Sequence, residues 1–411
     1  MDLFEKCLGF YNDPKVAQKY GYPTNVRTVQ QMGMFPYFIP IEQAEGPEVV
    51  IGGRRLLMIG SNNYLGLTNH PKVKEAAIEA VRKYGTSCTG SRFLNGTLQM
   101  HIELEERLAA FVGLEAALVF STGFQVNLGS IPALVDPGDI IITDKEVHAS
   151  IIDGVRQARG QKNVQARFFK HNDAADLDAI LKSCPDEAGK LVVVDGVYSM
   201  GGDIARLPEI VPVCRKYGAR LFCDDAHSLG VLGGGRGTAT HFDLVPEVDL
   251  VMGTFSKSFA AIGGFLAGRK EVIHFVQIFA RPFIFSASLP PANVATVLAC
   301  LEIMKTEPER IARVNRIGER VRRELGAMGY NVGASETPII PIVIGEMMRT
   351  IKAWKILFDA GIYTNVALPP AVPPDMGLLR TSYMATHTDE QIDRILETFG
   401  KVKQLLAIDA V

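Results

Sequence analysis

The feature that most restricts this chain is a series of very short apolar runs, each followed at once by small or polar residues. Residues 117–120, 140–143, 191–195, 220–223 and 250–253 form such runs, each four or five residues long. That length suits strands and is too short for helices. Strands buried on both faces read as continuous apolar runs rather than as alternation. Between the runs lie stretches with helical spacing. Leu104, Leu108, Phe111 and Val112 mark one helical face, with Glu103, Glu105, Glu106 and Arg107 turned elsewhere and Gly113 ending the pattern. Strand and helix in alternation predict an α/β fold built on a large, mostly parallel sheet covered by helices.

Length then sets the division of the chain. At 411 residues it exceeds what one core serves, so a second, smaller domain is expected. Residues 1–60 read as an arm whose apolar patch, Met34 to Pro40, contains prolines that forbid a long helix. Such a patch is more often core or interface than a lipid anchor, and peripheral membrane contact stays open. Residues 61–290 read as the large domain. Residues 291–411 read as a small C-terminal α/β domain with helices over 292–305 and 310–328, a strand over 339–344 and a proline-rich loop over 368–374.

Composition removes several function classes. A net charge of -2 gives no basic surface for a nucleic acid. Six scattered cysteines without CxxC spacing suggest neither a metal site nor a disulfide framework, which fits a cytoplasmic protein. The first residues lack a basic leader followed by an apolar core, and no apolar stretch approaches the ~20 residues that span a bilayer.

The chemistry gathers where the strands end. Ser121 to Phe124, Asp144 to His148, Tyr198-Ser199, Asp224 to His227 and Thr254 to Lys257 each follow an apolar run. Open parallel sheets bind ligands at that edge. Lys257, amid small and apolar residues, can be desolvated, which frees its amine for Schiff-base chemistry with a carbonyl cofactor, although a lone loop lysine is usually a solvated one. Asp224 ends a strand in a setting where its carboxylate needs a cation such as a protonated pyridine; equally, Asp224 or Asp225 could cap the next helix. His148 and His227 could stack on a flat ring or bond a phenolic oxygen, and a lone histidine is more often structural. Gly123-Phe124 opens an apparent helix whose N–H groups could hold a phosphate with the Thr254 hydroxyl. Arg380 offers the fork that best grips a carboxylate. Gly233 to Gly237 lacks the spacing of a dinucleotide loop.

Taken together, Gly253-Thr254-Phe255-Ser256-Lys257 and Asp224-Asp225-Ala226-His227-Ser228 resemble the α-oxoamine synthases, fold-type I enzymes of pyridoxal 5'-phosphate. The likeness continues through Ser61 to Gly66, Gly90 to Gly96, His148-Ala149-Ser150, Tyr198 to Asp203 and Arg380. It implies that Lys257 carries the cofactor, Asp224 pairs with its pyridine nitrogen, His148 stacks over the ring and His227 contacts the phenolic oxygen. Gly123, Phe124 and Thr254 would hold the phosphate, with Ser199 beside the cofactor. Asn62 or Asn63 would lie near the amino acid, and Arg380 would bind its carboxylate. The family builds its sites at a homodimer interface, so Ser286 or Ser288 would reach the partner's phosphate. Phe255 to Phe259, Arg281 to Phe285 and Pro370 to Pro373 look most like the members that join serine to palmitoyl-CoA, with loss of CoA and CO2. Sister members using glycine or alanine are the alternative. A non-catalytic partner subunit is disfavoured by the presence of Lys257.

Overall fold

A computed structural model describes every residue except Met1, Gly21, Pro23, Pro370, Pro374 and 407–411. It divides into two compact units, Asn62–Arg316 and Met1–Ser61 with Ile317–Val411.

The first unit is built on seven strands: β1 (Ala116–Phe120), β2 (Ile140–Asp144), β3 (Gln165–Phe169), β4 (Lys190–Asp195), β5 (Arg220–Asp224), β6 (Leu250–Thr254) and β7 (Gly264–Gly268). Their order is β1-β7-β6-β5-β4-β2-β3. The five expected runs are β1, β2, β4, β5 and β6. All neighbours from β6 through β3 pair in parallel, while β7 runs antiparallel to both β1 and β6. The reversal follows from chain length, because the nine residues between Thr254 and Gly264 are too few for a crossover helix. Every residue of β2, β4, β6 and β7 is buried, as helices on both faces require. The helix over Gln99–Val112 stops at Gly113, whose left-handed φ of 78° closes it.

The other unit holds two small sheets. One pairs Arg54–Met58 in parallel with Ile362–Tyr363, and the other orders Ile339–Gly345, Gly377–Ser382 and Asn365–Ala367. Its core is apolar throughout, centred on Trp354, Leu379 and Phe399. The first sixty residues were expected to form a separate arm, but their strand completes a sheet with the C-terminal part of the chain. The boundary expected at 290 falls instead at 316. The helix Pro291–Thr306 is held in the first unit, where the Cys300 thiol donates to the Phe259 carbonyl at 3.3 Å. Asn315 donates to the Val231 carbonyl at 2.8 Å. In the Met34 to Pro40 patch, Met34, Tyr37 and Ile39 pack on their own unit's core, and Phe38 stands 96% exposed. No helix among the described residues is long and apolar enough to cross a membrane.

Candidate active site

The carboxyl ends of the parallel strands place most of the predicted residues in one unit. Asp195 ends β4 and Asp224 ends β5, and the two are direct partners in the strand register, so their side chains share a face of the sheet. Both are buried. Asp224 Oδ2 accepts from Asn127 Nδ2 at 2.7 Å, and its Oδ1 accepts from the Ala226 N–H at 3.0 Å. Burial, and then the charge of Asp224, push Asp195 well above the usual carboxylate range. Two like charges that close do not both ionise comfortably.

Asp225 is separate from this pair. Its carboxylate accepts from the Ser228 hydroxyl and from the Thr238 N–H at 3.1 Å, fixing the 225–238 loop, and burial raises its pKa to about 6. Of the two aspartates, Asp225 holds its own loop, while Asp224 stands beside Asp195 at the strand end.

His148 follows β2 and begins the helix Ala149–Lys162; its own N–H is held by Asp195 at 3.1 Å. Partial burial lowers its pKa, the anion of Asp224 opposes that, and the cation of Lys257 adds to it. The imidazole is therefore neutral near pH 7, suited to lying against a flat ring. The same electrostatics show that Lys257, half-buried beyond β6, acts on both His148 and Asp195. Phe124 lies edge-on to His148 with ring centroids 6.4 Å apart.

The phosphate candidates also meet. Thr122 caps the helix Gly123–Ala133, accepting from the Gln125 N–H at 3.2 Å. A Cβ on Gly123 would come within 2.4 Å of Thr254 Oγ1, so only glycine lets this helix start against the end of β6. The Thr254 hydroxyl donates to the Gly263 carbonyl at 3.1 Å. His227 Nδ1 lies 2.7 Å from the Tyr64 hydroxyl, which is 3.3 Å from Asn62 Oδ1. Asn62 thus joins the His227 cluster. Asn63 instead holds its own turn through Thr68 and the Leu67 N–H.

Ser199 is half-buried on the loop after β4. Ser288 is buried and donates to the Gly90 carbonyl of its own chain at 3.2 Å, while Ser286 accepts from Gln125 Nε2 at 3.0 Å. Arg380 lies in the other unit, buried in the middle of Gly377–Ser382, where Thr364 donates to its carbonyl at 3.0 Å. Of the loop before it, Pro370 and Pro374 lie outside the described residues.

These residues fit pyridoxal phosphate. A buried carboxylate held by Asn127 and a backbone N–H suits a pyridinium nitrogen, the capped helix start suits a phosphate, and a neutral imidazole suits the ring. Sequence reasoning missed Asp195, Asn127, Tyr64 and His171. Asp195 carried the same signal as Asp224, an aspartate ending an apolar strand. Nothing local marked Asn127, and Tyr64 stood within the Ser61 to Gly66 motif without a role, because both depend on distant partners.

The model of the family "Aminotransferase class I and II" matches residues 54–399. A serine palmitoyltransferase of Bacteroides ovatus is 48% identical over 410 residues, covering all of both chains. An 8-amino-7-oxononanoate synthase of Treponema denticola is 42% identical, over 93% of this chain and 96% of that one. Among solved structures, a serine palmitoyltransferase from S. paucimobilis "with bound PLP-Myriocin Aldimine" superposes with a TM-score of 0.92 at 37% identity, covering all of both chains.

Proposed function

This chain belongs to the class I and II aminotransferases, in their α-oxoamine synthase branch, and from that membership we propose that it condenses L-serine with palmitoyl-CoA to give 3-oxosphinganine, CoA and CO2. The observation that carries the reading is the full-length likeness to serine palmitoyltransferases together with Lys257, His148 and Asp224 gathered at one sheet edge. In balance, serine Cα bonds to the acyl carbon, the thioester C–S bond breaks to release CoA, and the bond from Cα to the carboxylate breaks to release CO2. A proton returns to Cα.

Bound at this edge, pyridoxal phosphate supplies an electron sink that stabilises negative charge at Cα. Lys257 Nζ anchors the cofactor and then takes the α-proton. Asp224 keeps the ring nitrogen charged, and His148 covers the ring with its neutral face. His227 contacts the phenolic oxygen. The N–H groups of Gly123 and Phe124, with Thr254, hold the phosphate, and Ser199 lies beside the ring. Asn62 and Arg380 contact the amino acid, the latter through its carboxylate. The working unit is a homodimer with shared active sites, and Ser286 is the better candidate to reach the partner's phosphate, because Ser288 donates within its own chain. The reaction is placed in the cytoplasm.

Incubation with serine, glycine or alanine against a panel of acyl-CoAs, following CoA release, tests the reading. Turnover with serine and a long-chain acyl-CoA is expected. Turnover only with alanine or glycine would assign the chain to the sister branch represented by the Treponema denticola relative.

A further inference from the structure

We propose that His171, clamped between Asp144 and Asp203, is a positioning residue that fixes the loop carrying His148 against the loop carrying Ser199. The inference rests on the reaction proposed above but concerns a cluster outside its reacting groups.

His171 follows β3, an element that contributes no residue to the cofactor site. Its Nδ1 lies 3.1 Å from Asp144 Oδ1 and its Nε2 lies 2.8 Å from Asp203 Oδ2. Only the protonated imidazole donates from both nitrogens. Glu146 adds a third, more distant carboxylate at 3.9 Å. Burial alone would lower the His171 pKa, but Asp144 and Asp203 push it up to about 10. The Tyr198 ring stands edge-on at 4.4 Å and 87°, which sets the plane of the imidazole.

Asn172 repeats the link with its own groups. Its N–H donates to Asp144 Oδ2 at 2.8 Å, and its Nδ2 donates to Asp203 at 3.0 Å and to the Ile204 carbonyl at 3.1 Å. Its Oδ1 accepts from the Arg206 N–H at 3.1 Å. Each tied loop leads directly to a site residue. Asp144 accepts from the Glu146 N–H at 2.8 Å, two residues before His148, and the Tyr198 N–H donates to the Asp203 carbonyl at 3.0 Å, one residue before Ser199. The clamp therefore spans the ends of β2, β3 and β4. A solvated surface histidine would need neither a second carboxylate nor an edge-on ring. Misplacing aligned groups by about 1 Å can lower turnover by roughly 100-fold.

The test compares wild type with His171→Ala, with His171→Gln, which keeps one donor, and with Asp203→Asn. Amide hydrogen exchange of the cofactor-free proteins reads the clamp without reference to the reaction. Loops 144–148 and 196–206 are expected to lose protection together in His171→Ala. In the loaded enzymes, the visible circular dichroism of bound cofactor, at matched occupancy, is expected to weaken. The kcat/KM for serine should fall by between tenfold and roughly 100-fold, less in His171→Gln, while Lys257 still forms the borohydride-reducible bond. If the alanine variant does not fold, the other two decide on the same readouts. Unchanged exchange in the two loops, or unchanged dichroism and kcat/KM beside a lowered Tm, would overturn the proposal. Failure of wild type to turn over serine strikes the proposed reaction and leaves the exchange result standing.

Discussion

At the amino ends of the parallel strands the charges are matched. Arg220 meets Asp249 at 2.9 Å, and Asp249 also accepts from the Leu221 N–H at 2.9 Å. Asp139 accepts from the N–H groups of Asp136 at 2.7 Å and Gly189 at 3.1 Å. At the carboxyl ends of the same sheet, Asp195 and Asp224 lie buried side by side as register partners. One end uses its charges to hold loops; the other crowds two buried carboxylates side by side, with the Lys257 cation acting on Asp195. Crowding buried carboxylates lowers stability, so its persistence at one end makes that end the candidate site.

The sharpest break of this comparison is Lys257→Ala. CoA release should drop by at least about 1000-fold, the scale of a lost general base, while the fold remains. Residual turnover near wild type would move the chemistry elsewhere.

Asp224→Asn comes next and acts in two directions. Turnover should fall by about 100-fold through loss of electrostatic support. The Tm of the cofactor-free protein should rise, because one of two adjacent buried carboxylates becomes neutral. A lowered Tm would show that the anion is already compensated, and the contrast between the two ends would disappear.

The pH dependence of stability probes the third carboxylate cluster. The folded pKa of His171 lies above its ordinary 6.5, at about 10. Its contribution is therefore fully present below pH 6.5 and is lost as the pH rises through about 10. Wild type should lose more Tm than His171→Gln across that window; parallel curves would contradict a charged clamp.

The smallest effect belongs to the amino end. Arg220→Ala removes a largely exposed ion pair, worth at most about 1 kcal/mol, and should leave kcat unchanged. A change in kcat would mean that the matched end also serves the reaction.

Much of this was legible in the sequence because it was local. Apolar runs ending in polar residues located five strands of the seven and the edge at which Lys257, Asp224, His148 and Gly123 meet. The strand β7 was hidden inside an apolar stretch, and β3, only partly buried, lacks the continuous apolar run that marked the others. Asn62 and Asn63 could not be told apart, since the difference lies in Tyr64 reaching a histidine far along the chain. The role of residues 1–60 was misread for a related reason. Strand pairing between Arg54–Met58 and Ile362–Tyr363 leaves no mark in either segment alone.

The most direct measurement is to reduce the purified, cofactor-loaded protein with borohydride, digest it and map the labelled peptide. The account predicts a pyridoxyl tag on Lys257, lost in Lys257→Ala. A tag on another lysine, or none, would contradict it.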